Sequence, residues 1–302
     1  MLTPRELKAC FEQGKNISLL LRRESGVDGN TEQIIETAYE LQTLHNEDVL
    51  ESEAFKRHKE QYSQIIAQTI QSLCQPKSVL EAGIGEASTF LNVKKKLNKE
   101  VRSYGFDISW SRTWYAGYRL VQNNLFNVTL CTGSLQNIPF LDNAIDVVYT
   151  SHSIEPNGGK EKPILEELFR ITGKYLLLFE PAYEFADGSI QKRMDSHGYC
   201  KRLKETAEEL GYEVLEHKLL EFTASLDNPT AMIIIRKNLE SSPVSEVFAC
   251  PRFKTPLQKI ADIWYSPEAL SVYPVIGDIP CLRVDNAILA SKYPEFMELT
   301  GT

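Results

Sequence analysis

The stretch SVLEAGIGEAS, residues 78–88, has the pattern of a short buried strand that runs directly into a turn rich in glycine. From here to about residue 237, short β-rich runs alternate with segments of helical periodicity. The β-rich runs are SVLEAG, VRSYGFDIS, NVTLCTG, AIDVVYTS, KYLLLFEP, YEVLEHKLLEF and AMIIIRK. Strands that alternate with helices form a mostly parallel sheet covered on both faces. We therefore predict an α/β fold with a doubly wound, mostly parallel, Rossmann-like sheet.

The segments on either side of this region differ from it. Residues 1 to about 75 are polar, and their apolar residues recur every three or four positions, which is typical of amphipathic helices. After Lys237 the polar stretch NLESSPVSE is typical of a linker, and the residues after it have a different sequence pattern. We predict a helical cap over residues 1–60, a central domain over 61–238 and a small β-rich module over 246–302.

Composition restricts the classes of function. A chain of 302 residues with 42% hydrophobic residues can bury one full core and still supply a smaller appendage. The formal net charge of −8 gives no general attraction to a polyanion, so nucleic acid is not an expected partner. No apolar run approaches the ~20 residues that cross a bilayer. The N-terminal residues lack the apolar core of a secretion signal, and we expect a cytoplasmic protein without a membrane partner.

The turn after the first strand lies where ligands bind in such folds, beyond the carboxyl ends of the strands. Gly83 and Gly85 allow close approach of the backbone to a ligand, but a dinucleotide fingerprint would need a third glycine at Ser88. Glu81 and Glu86 would also stand beside a pyrophosphate, which their charge disfavours. A ligand with a cationic end and no phosphate fits better, and S-adenosyl-L-methionine, with its ammonium and sulfonium groups, is such a ligand. An ordinary strand-to-helix turn is the alternative.

Later residues strengthen this interpretation. Asp107 ends the next strand, where a carboxylate can accept hydrogen bonds from both hydroxyls of a ribose. With the following text GSLQNIPFLDNAIDVVYTS, residues 133–151, the chain resembles the class I S-adenosylmethionine-dependent methyltransferases of the type 11-like branch. The resemblance covers about residues 60–237 and implies a seven-stranded sheet.

The resemblance also implies a set of cofactor-binding residues. They are Glu81, Gly83, Gly85, Asp107, Ile108, Ser134, Leu135 and Ser151. The first three belong to the methionine end of the cofactor, Asp107 to the ribose, and Ser134 with Leu135 to the adenine. The chain departs from the family text at Ala87, which replaces a third glycine, and at Ser134, which replaces an aspartate that accepts from the adenine amino group. The adenine contact would then be weaker, or would come from the Leu135 backbone and Gln136.

Three residues at strand ends are candidates for catalysis. Methyl transfer needs an in-line nucleophile, exclusion of water and, for a hydroxyl or amine acceptor, removal of a proton. His152 follows the fourth strand, and an imidazole suits proton removal near neutral pH. Glu180 and Tyr183 follow the fifth strand and place a carboxylate and a phenol near the same mouth of the expected binding site. Each of these side chains also fits a structural role at its strand end.

The segment after Asp107 carries aromatic residues at helical spacing. Trp110, Trp114 and Tyr118 lie at i, i+4 and i+8, on one face of a helix. Such a stripe is typical of a helix face that packs against a core, and we predict these side chains to be buried. The alternative is that Trp110 and Tyr115 flank the nucleoside of the cofactor.

The C-terminal text VFACPRFKTPLQ, followed by IWYSPEALSVYPVIGDIPCL, resembles the small zinc-ribbon-like activator subunits of tRNA and translation-factor methyltransferases. Cys250 keeps the first ligand position, but Phe253 and Ser266 stand at the second and third. A zinc ion needs about four nitrogen or sulfur ligands. We therefore predict a degenerate module, free of metal and held against the central domain by apolar packing.

Two classes of function stay open. One is an active methyltransferase that modifies an oxygen or nitrogen atom of a small molecule such as a sugar or amino acid derivative, with a protein acceptor as the alternative. The other is a cofactor-binding pseudoenzyme or interaction module, which Ser134 and the degenerate C-terminal module favour. Because Glu81, Gly83, Gly85 and Asp107 are all present, we favour the enzyme. The sequence does not indicate an oligomeric state.

Overall fold

The computed structural model of the chain describes residues 2–45, 52–222, 228–237, 239 and 246–300. A seven-stranded sheet lies at its centre, in the order β3-β2-β1-β4-β5-β7-β6. Its strands are β1 Ser78–Ala82, β2 Arg102–Asp107, β3 Val128–Thr132, β4 Ile145–Ser151, β5 Thr172–Pro181, β6 Glu213–Leu219 and β7 Thr230–Arg236. The first five pair in parallel, and β7 is antiparallel to both of its neighbours. The predicted α/β fold with a doubly wound, mostly parallel sheet is confirmed.

Helices cover both faces of this sheet. The helices of the N-terminal and central regions are α1 Pro4–Glu12, α2 Ile17–Ser25, α3 Glu32–Gln42, α4 Glu53–Leu73, α5 Phe90–Lys96, α6 Trp110–Gln122, α7 Glu161–Ile171, α8 Gly188–His197 and α9 Leu203–Glu209. In the first four, the side chain before the helix accepts a hydrogen bond from a backbone N–H of the first turn, which satisfies a donor that the helix itself leaves unpaired. Helix α4 crosses the boundary predicted at residue 60. Among the described residues, no helix is both long enough and apolar enough to span a membrane.

The two faces of the sheet bury separate apolar clusters. On one face, Ile66 and Ile70 of α4 pack with residues of α5 and α6 against Val79 of β1 and Val147 of β4. Because parallel strands are covered on both faces, they are apolar almost throughout, and every residue of β1 is buried. Glu81 is therefore an exception, a carboxylate within a strand that is otherwise shielded from water.

The opposite face is shared between helices and the C-terminal module. The module contains a four-stranded antiparallel sheet, a two-stranded sheet and a final helix. Its elements are β8 Gln258–Ile260, β9 Ile263–Ser266, β10 Ser271–Tyr273, β11 Val275–Ile276, β12 Ile279–Pro280, β13 Ile288–Leu289 and α10 Tyr293–Thr300. Phe248 and Trp264 of the module belong to the same apolar cluster as Leu168 of α7.

Polar contacts also join the module to the central domain. The backbone N–H of Leu141 donates to the carbonyl of Val247 at 2.9 Å. Lys254 Nζ lies 2.7 Å from Glu167 Oε2 on α7. Cys281, directly after β12, forms a parallel β-bridge with Thr132 at the end of β3. The module is thus in contact with both a helix and the edge strand β3.

The ligand positions of the predicted degenerate ribbon lie together in space. The Cys250 thiol is buried, with its Sγ 3.6 Å from the hydroxyl of Tyr273. Burial opposes ionisation of this thiol, but hydrogen bonds from Ser266, Tyr273 and the backbone of Phe253 and Arg252 outweigh that effect and lower its pKa. Within the described part of the chain, no group of three or more His, Cys, Asp or Glu side chains could hold a metal ion. No metal site among the described residues supports the resemblance to a zinc ribbon, and the assignment of this module stays a prediction.

Only the first ring of the aromatic stripe of α6, Trp110, packs against the core, and it is half-buried there. Trp114 and Tyr118 are 44% and 48% exposed and stack on each other with ring centroids 6.1 Å apart. Trp110 Nε1 donates to the carbonyl of Ile276 in the C-terminal module at 3.1 Å. The prediction of a buried stripe was wrong for Trp114 and Tyr118, because smaller side chains form the face of α6 that reaches the sheet. These are Thr113, Ala116 and Leu120.

Candidate functional site

A cleft of about 290 Å³ lies at the carboxyl ends of β1, β2 and β4, where the strand order reverses. Open α/β sheets bind their ligands at this kind of reversal. Every residue predicted to bind the cofactor lines the cleft, namely Glu81, Gly83, Gly85, Asp107, Ile108, Ser134, Leu135 and Ser151. Of the three catalytic candidates, only His152 does. That these residues contact a cofactor stays a prediction.

The glycine turn after β1 forms the floor of the cleft. Gly83 and Gly85 have φ values of +76° and +53°, in the left-handed region that favours glycine. A Cβ at position 83 would collide with the side chain of Ser153. The backbone N–H groups of Gly83 and Ile84 both donate to the carbonyl of Phe106 at 2.9 Å, which fixes the turn against the end of β2. The turn is thus held rigidly and leaves its outer side open to a ligand.

Glu81 places a buried carboxyl group at one end of this floor. Only 2% of the residue is exposed, and the hydroxyl of Tyr149 donates to Glu81 Oε2 at 2.8 Å. Burial raises the pKa of Glu81 to about 8, although Tyr149 and Lys59 act in the opposite direction. A carboxyl group so destabilised as an anion gains most from a ligand that brings a positive charge.

Lys59 of α4 stands near the same end and was missed by the sequence analysis. It lines the cleft, and its Nζ donates to Thr89 Oγ1 at 3.3 Å. Burial lowers the pKa of Lys59, while the charge of Glu81 acts to raise it. Its Nζ also lies 5.6 Å from the ring centroid of Phe55 and 5.5 Å from that of Tyr62. Glu81 and Lys59 together complement the ammonium and carboxylate of an amino acid.

Asp107 is oriented by the backbone at the end of β2. Its Oδ2 accepts from the N–H of Gly85 at 2.9 Å and its Oδ1 from the N–H of Ser109 at 3.0 Å. Burial raises its pKa, against the opposing charge of Arg112 and these two hydrogen bonds. Each carboxylate oxygen keeps a further lone pair, so the group can still accept from a diol. It is placed as a ribose acceptor would need to be.

A third set of polar groups lies around Ser134. The Ser134 hydroxyl contacts Oε1 of Glu32, at the start of α3, and accepts from the N–H of Gln136 at 3.0 Å. Gln136 Nε2 donates to the same Glu32 oxygen at 3.1 Å. Glu32 itself lines the cleft. This end of the cleft therefore contains a carboxylate that comes from the N-terminal helices and that no motif in the sequence marks.

His152 is held from both sides of its ring. Its Nδ1 lies 2.6 Å from Glu155 Oε2, and its Nε2 lies 2.9 Å from the Thr230 hydroxyl. Burial is the largest influence and opposes ionisation of Glu155, but the hydrogen bond and charge of His152, together with hydrogen bonds from Tyr199 and Asn228, outweigh it and lower the pKa of Glu155. A carboxylate that orients an imidazole is the arrangement of a general base. Before Nε2 takes a proton from a substrate, the hydroxyl of Thr230 has to turn away from it.

Glu180 and Tyr183 do not line the cleft, and a catalytic role for either stays a prediction. Glu180 is buried, and it accepts from the backbone N–H groups of Ser153, Ile154 and Glu155 at 3.0–3.1 Å. This carboxylate is committed to the loop after β4. The Tyr183 hydroxyl donates to an Asp195 oxygen at 3.1 Å outside the cleft. Of the three catalytic candidates, the structure brings only His152 to the site.

Residues 79–174 match the family model described as a methyltransferase domain. The structure of magnesium protoporphyrin IX methyltransferase (ChlM) from Synechocystis PCC 6803 with bound SAH is similar, with a TM-score of 0.55 and 13% identity over 68% of this chain and 100% of that one. The structure of the same enzyme with bound SAM has a TM-score of 0.53 and 13% identity, over 68% of this chain and 96% of that one. The structure of the [4+2]-cyclase SpnF has a TM-score of 0.58 and 16% identity, over 70% of this chain and 98% of that one. At such identities these likenesses show the fold alone. No curated protein matches the sequence.

The match assigns a methyltransferase domain to residues 79–174. Two of the similar structures contain SAM or SAH, that is, S-adenosyl-L-methionine or its demethylated product. The cleft fits this cofactor, since it offers a buried carboxyl group for a cation, an oriented carboxylate for a diol and polar groups around Ser134 for a base.

Proposed function

We propose that the protein methylates an oxygen or nitrogen atom of a small molecule, such as a sugar or an amino acid derivative. The observation that carries this proposal is the imidazole of His152 at the cleft, oriented by Glu155 at 2.6 Å. When bound, S-adenosyl-L-methionine supplies a methyl group that its sulfonium already activates. The chain then has to hold the acceptor in line and take the proton that a hydroxyl or amine releases.

The surroundings of the cleft support a small acceptor. Helices α3 and α4 supply part of its wall through Glu32, Tyr39 and Lys59, so the N-terminal cap forms one side of the cleft. The net charge of −8 does not favour a polyanionic acceptor. We accordingly propose a cytoplasmic enzyme with a small-molecule substrate and with neither nucleic acid nor a membrane as its partner.

Two alternatives have observations in their favour. The protein named as a [4+2]-cyclase shares this fold, so the fold by itself does not fix the reaction. The rings of Trp114 and Tyr118 are exposed beside the C-terminal module and offer an apolar surface to a protein partner. This surface favours an interaction module or a methyltransferase with a protein acceptor.

Binding is tested first, by calorimetry with S-adenosylhomocysteine and with NAD. We expect a micromolar dissociation constant for the sulfur compound and no heat with NAD, because Ser88 stands where a dinucleotide-binding turn needs its third glycine. Ligand at about 100 times its dissociation constant should stabilise the fold by about 2.7 kcal/mol. A clear NAD isotherm, or no heat with the sulfur compound, contradicts the proposal.

Turnover is tested with a methyl-labelled cofactor and cell extract separated into small-molecule and protein fractions. We expect label in the small-molecule fraction, and His152→Asn should reduce the transfer rate by about 10²–10⁴-fold while the variant still binds S-adenosylhomocysteine. Asparagine suits this position because His152 has a φ of +55°. His58→Asn is the control, since His58 stacks on Phe222 and does not line the cleft. Label in protein alone supports the protein acceptor, and no transfer at all supports the pseudoenzyme.

A further inference from the structure

The loop after β3 carries Ser134, at the position where the family that the sequence resembles has an aspartate. The Ser134 hydroxyl is engaged with Glu32 and with the N–H of Gln136, and it brings no charge to the cleft. A neutral hydroxyl is a weaker acceptor for an amino group than a carboxylate is. If the loop alone formed this end of the cleft, the amino group of an adenine would have no charged acceptor there.

The missing charge is present, but on a different element. Glu32 is the first residue of α3, and its carboxylate lies between Ser134 and the side-chain amide of Gln136. It lines the cleft beside Ser134 and Leu135. Its Oε1 takes both of these hydrogen bonds, while its Oε2 has no hydrogen-bond partner among the described residues. A carboxylate has about four acceptor positions, so capacity for a further donor remains.

The position of Glu32 is fixed by the helix that carries it. Thr31 caps α3 through its side chain, which accepts from the N–H of Ile34 at 3.3 Å, and Ile34 is buried. Further along α3, Glu40 Oε1 accepts from the N–H of Ser111 at 3.1 Å, at the start of α6. The carboxylate of Glu32 is therefore presented by a helix that is anchored on the wall of the cleft.

We propose that Glu32 accepts the hydrogen bond of the cofactor's adenine amino group, in place of the acidic side chain that Ser134 does not supply. The inference rests on S-adenosyl-L-methionine occupying this cleft. The amino group donates, and a carboxylate held by Ser134 and Gln136 is oriented to accept. Recognition of the base is thereby divided between the sheet and the N-terminal cap. Cofactor binding and the docking of α3 then strengthen each other, since coupling between two sites is reciprocal.

The test compares S-adenosylhomocysteine with S-inosylhomocysteine, in which an oxo group replaces the amino group and an acceptor therefore replaces a donor. The wild-type chain should prefer the adenine compound at least tenfold. Glu32→Gln should weaken binding of the adenine compound about tenfold or more and reduce the preference, because the amide can donate to the oxo group. Glu32→Gln with Ser134→Asp should restore the preference, because the carboxylate returns on the loop.

Glu36→Gln is the matched control. It removes the same charge one turn further along α3, where the carboxylate pairs with Arg283 of the C-terminal module. It should leave the ratio of the two affinities unchanged. A folded Glu32→Gln variant with the wild-type preference overturns the proposal, as does an equal loss of preference in Glu36→Gln. If the wild-type chain binds neither compound, the cofactor site itself fails, and the inference fails with it.

Discussion

The affinity for S-adenosylhomocysteine is expected to depend on pH through Glu81. Burial raises the pKa of this carboxyl group to about 8 in the ligand-free protein. The ammonium of the ligand is attracted only by the ionised form, so at lower pH the carboxyl group must release a proton before it can interact with the ammonium. Binding should therefore strengthen as the pH rises towards 8 and release a proton as it does so.

The size of the effect follows from the two titrating groups. With a pKa of about 8, Glu81 is roughly 1% ionised at pH 6, about 10% at pH 7 and half ionised at pH 8. The α-amino group of the ligand titrates above the range of a peptide N-terminus, because the carboxylate of the same amino acid stabilises the ammonium, and it stays charged up to pH 8. The ionised fraction of Glu81 therefore sets the slope, and the affinity should rise about fiftyfold from pH 6 to pH 8, or about 2.3 kcal/mol. We expect the affinity to level off above pH 8 and to fall only where the ligand's ammonium loses its proton.

Calorimetry between pH 6 and 9, in buffers of different protonation enthalpy, measures both the affinity and the proton released. Glu81→Gln should abolish the acid limb of the curve, because the amide does not titrate. Tyr149→Phe should move that limb to higher pH, since the Tyr149 hydrogen bond is one of the contacts that lower the pKa of Glu81. A wild-type affinity that stays constant between pH 6 and 8 would refute the reasoning, as would a Glu81→Gln variant with an unchanged acid limb.

Other variants test the rest of the cleft and the C-terminal module. Asp107→Ala should weaken S-adenosylhomocysteine binding by about 1.5–3 kcal/mol in calorimetry, through loss of the ribose acceptor; unchanged affinity in a folded variant would exclude that role. Gly83→Ala should lower the stability by about 1–3 kcal/mol more than Gly159→Ala. Both glycines have positive φ, but only at Gly83 would the Cβ meet another residue, so equal melting temperatures would contradict the clash. Deletion after Lys237 should lower the melting temperature, because the module shares an apolar cluster with the central domain; a truncated chain as stable as the full one would count against docking.

Much of the site could be predicted from the sequence because its parts lie at the ends of neighbouring strands. The glycine turn, Asp107 and Ser134 each lie at the end of a strand or within two residues of it, and parallel strands bring their carboxyl ends to the same edge of the sheet. Once the strands were recognised, their loops had to meet. The seven strands were recognisable in turn because a sheet buried on both faces requires apolar runs that polar helices separate.

The remaining parts depend on contacts between distant segments. Glu32 and Lys59 reach the cleft from helices that precede the first strand, and their place is decided by how those helices pack. Glu180 lies at the expected strand end, but its carboxylate is taken by backbone N–H groups of another loop. Trp114 has the spacing of a core residue, yet the C-terminal module provides a second surface beside it. Periodicity shows which residues share a face, and it does not show what that face meets.

The β-bridge between Cys281 and Thr132 has a consequence for how separate molecules meet. Strand β3 is the last strand on its side of the central sheet, and the outer strand of a sheet exposes backbone groups that can pair with another chain. The C-terminal module pairs with the end of this strand from within the same molecule. At the opposite side, β6 carries the charged residues Glu213, Glu216 and Lys218, which disfavour such pairing. The two borders of the sheet are thus protected against intermolecular strand addition by different means, and the border at β3 depends on a segment more than 100 residues further along the chain.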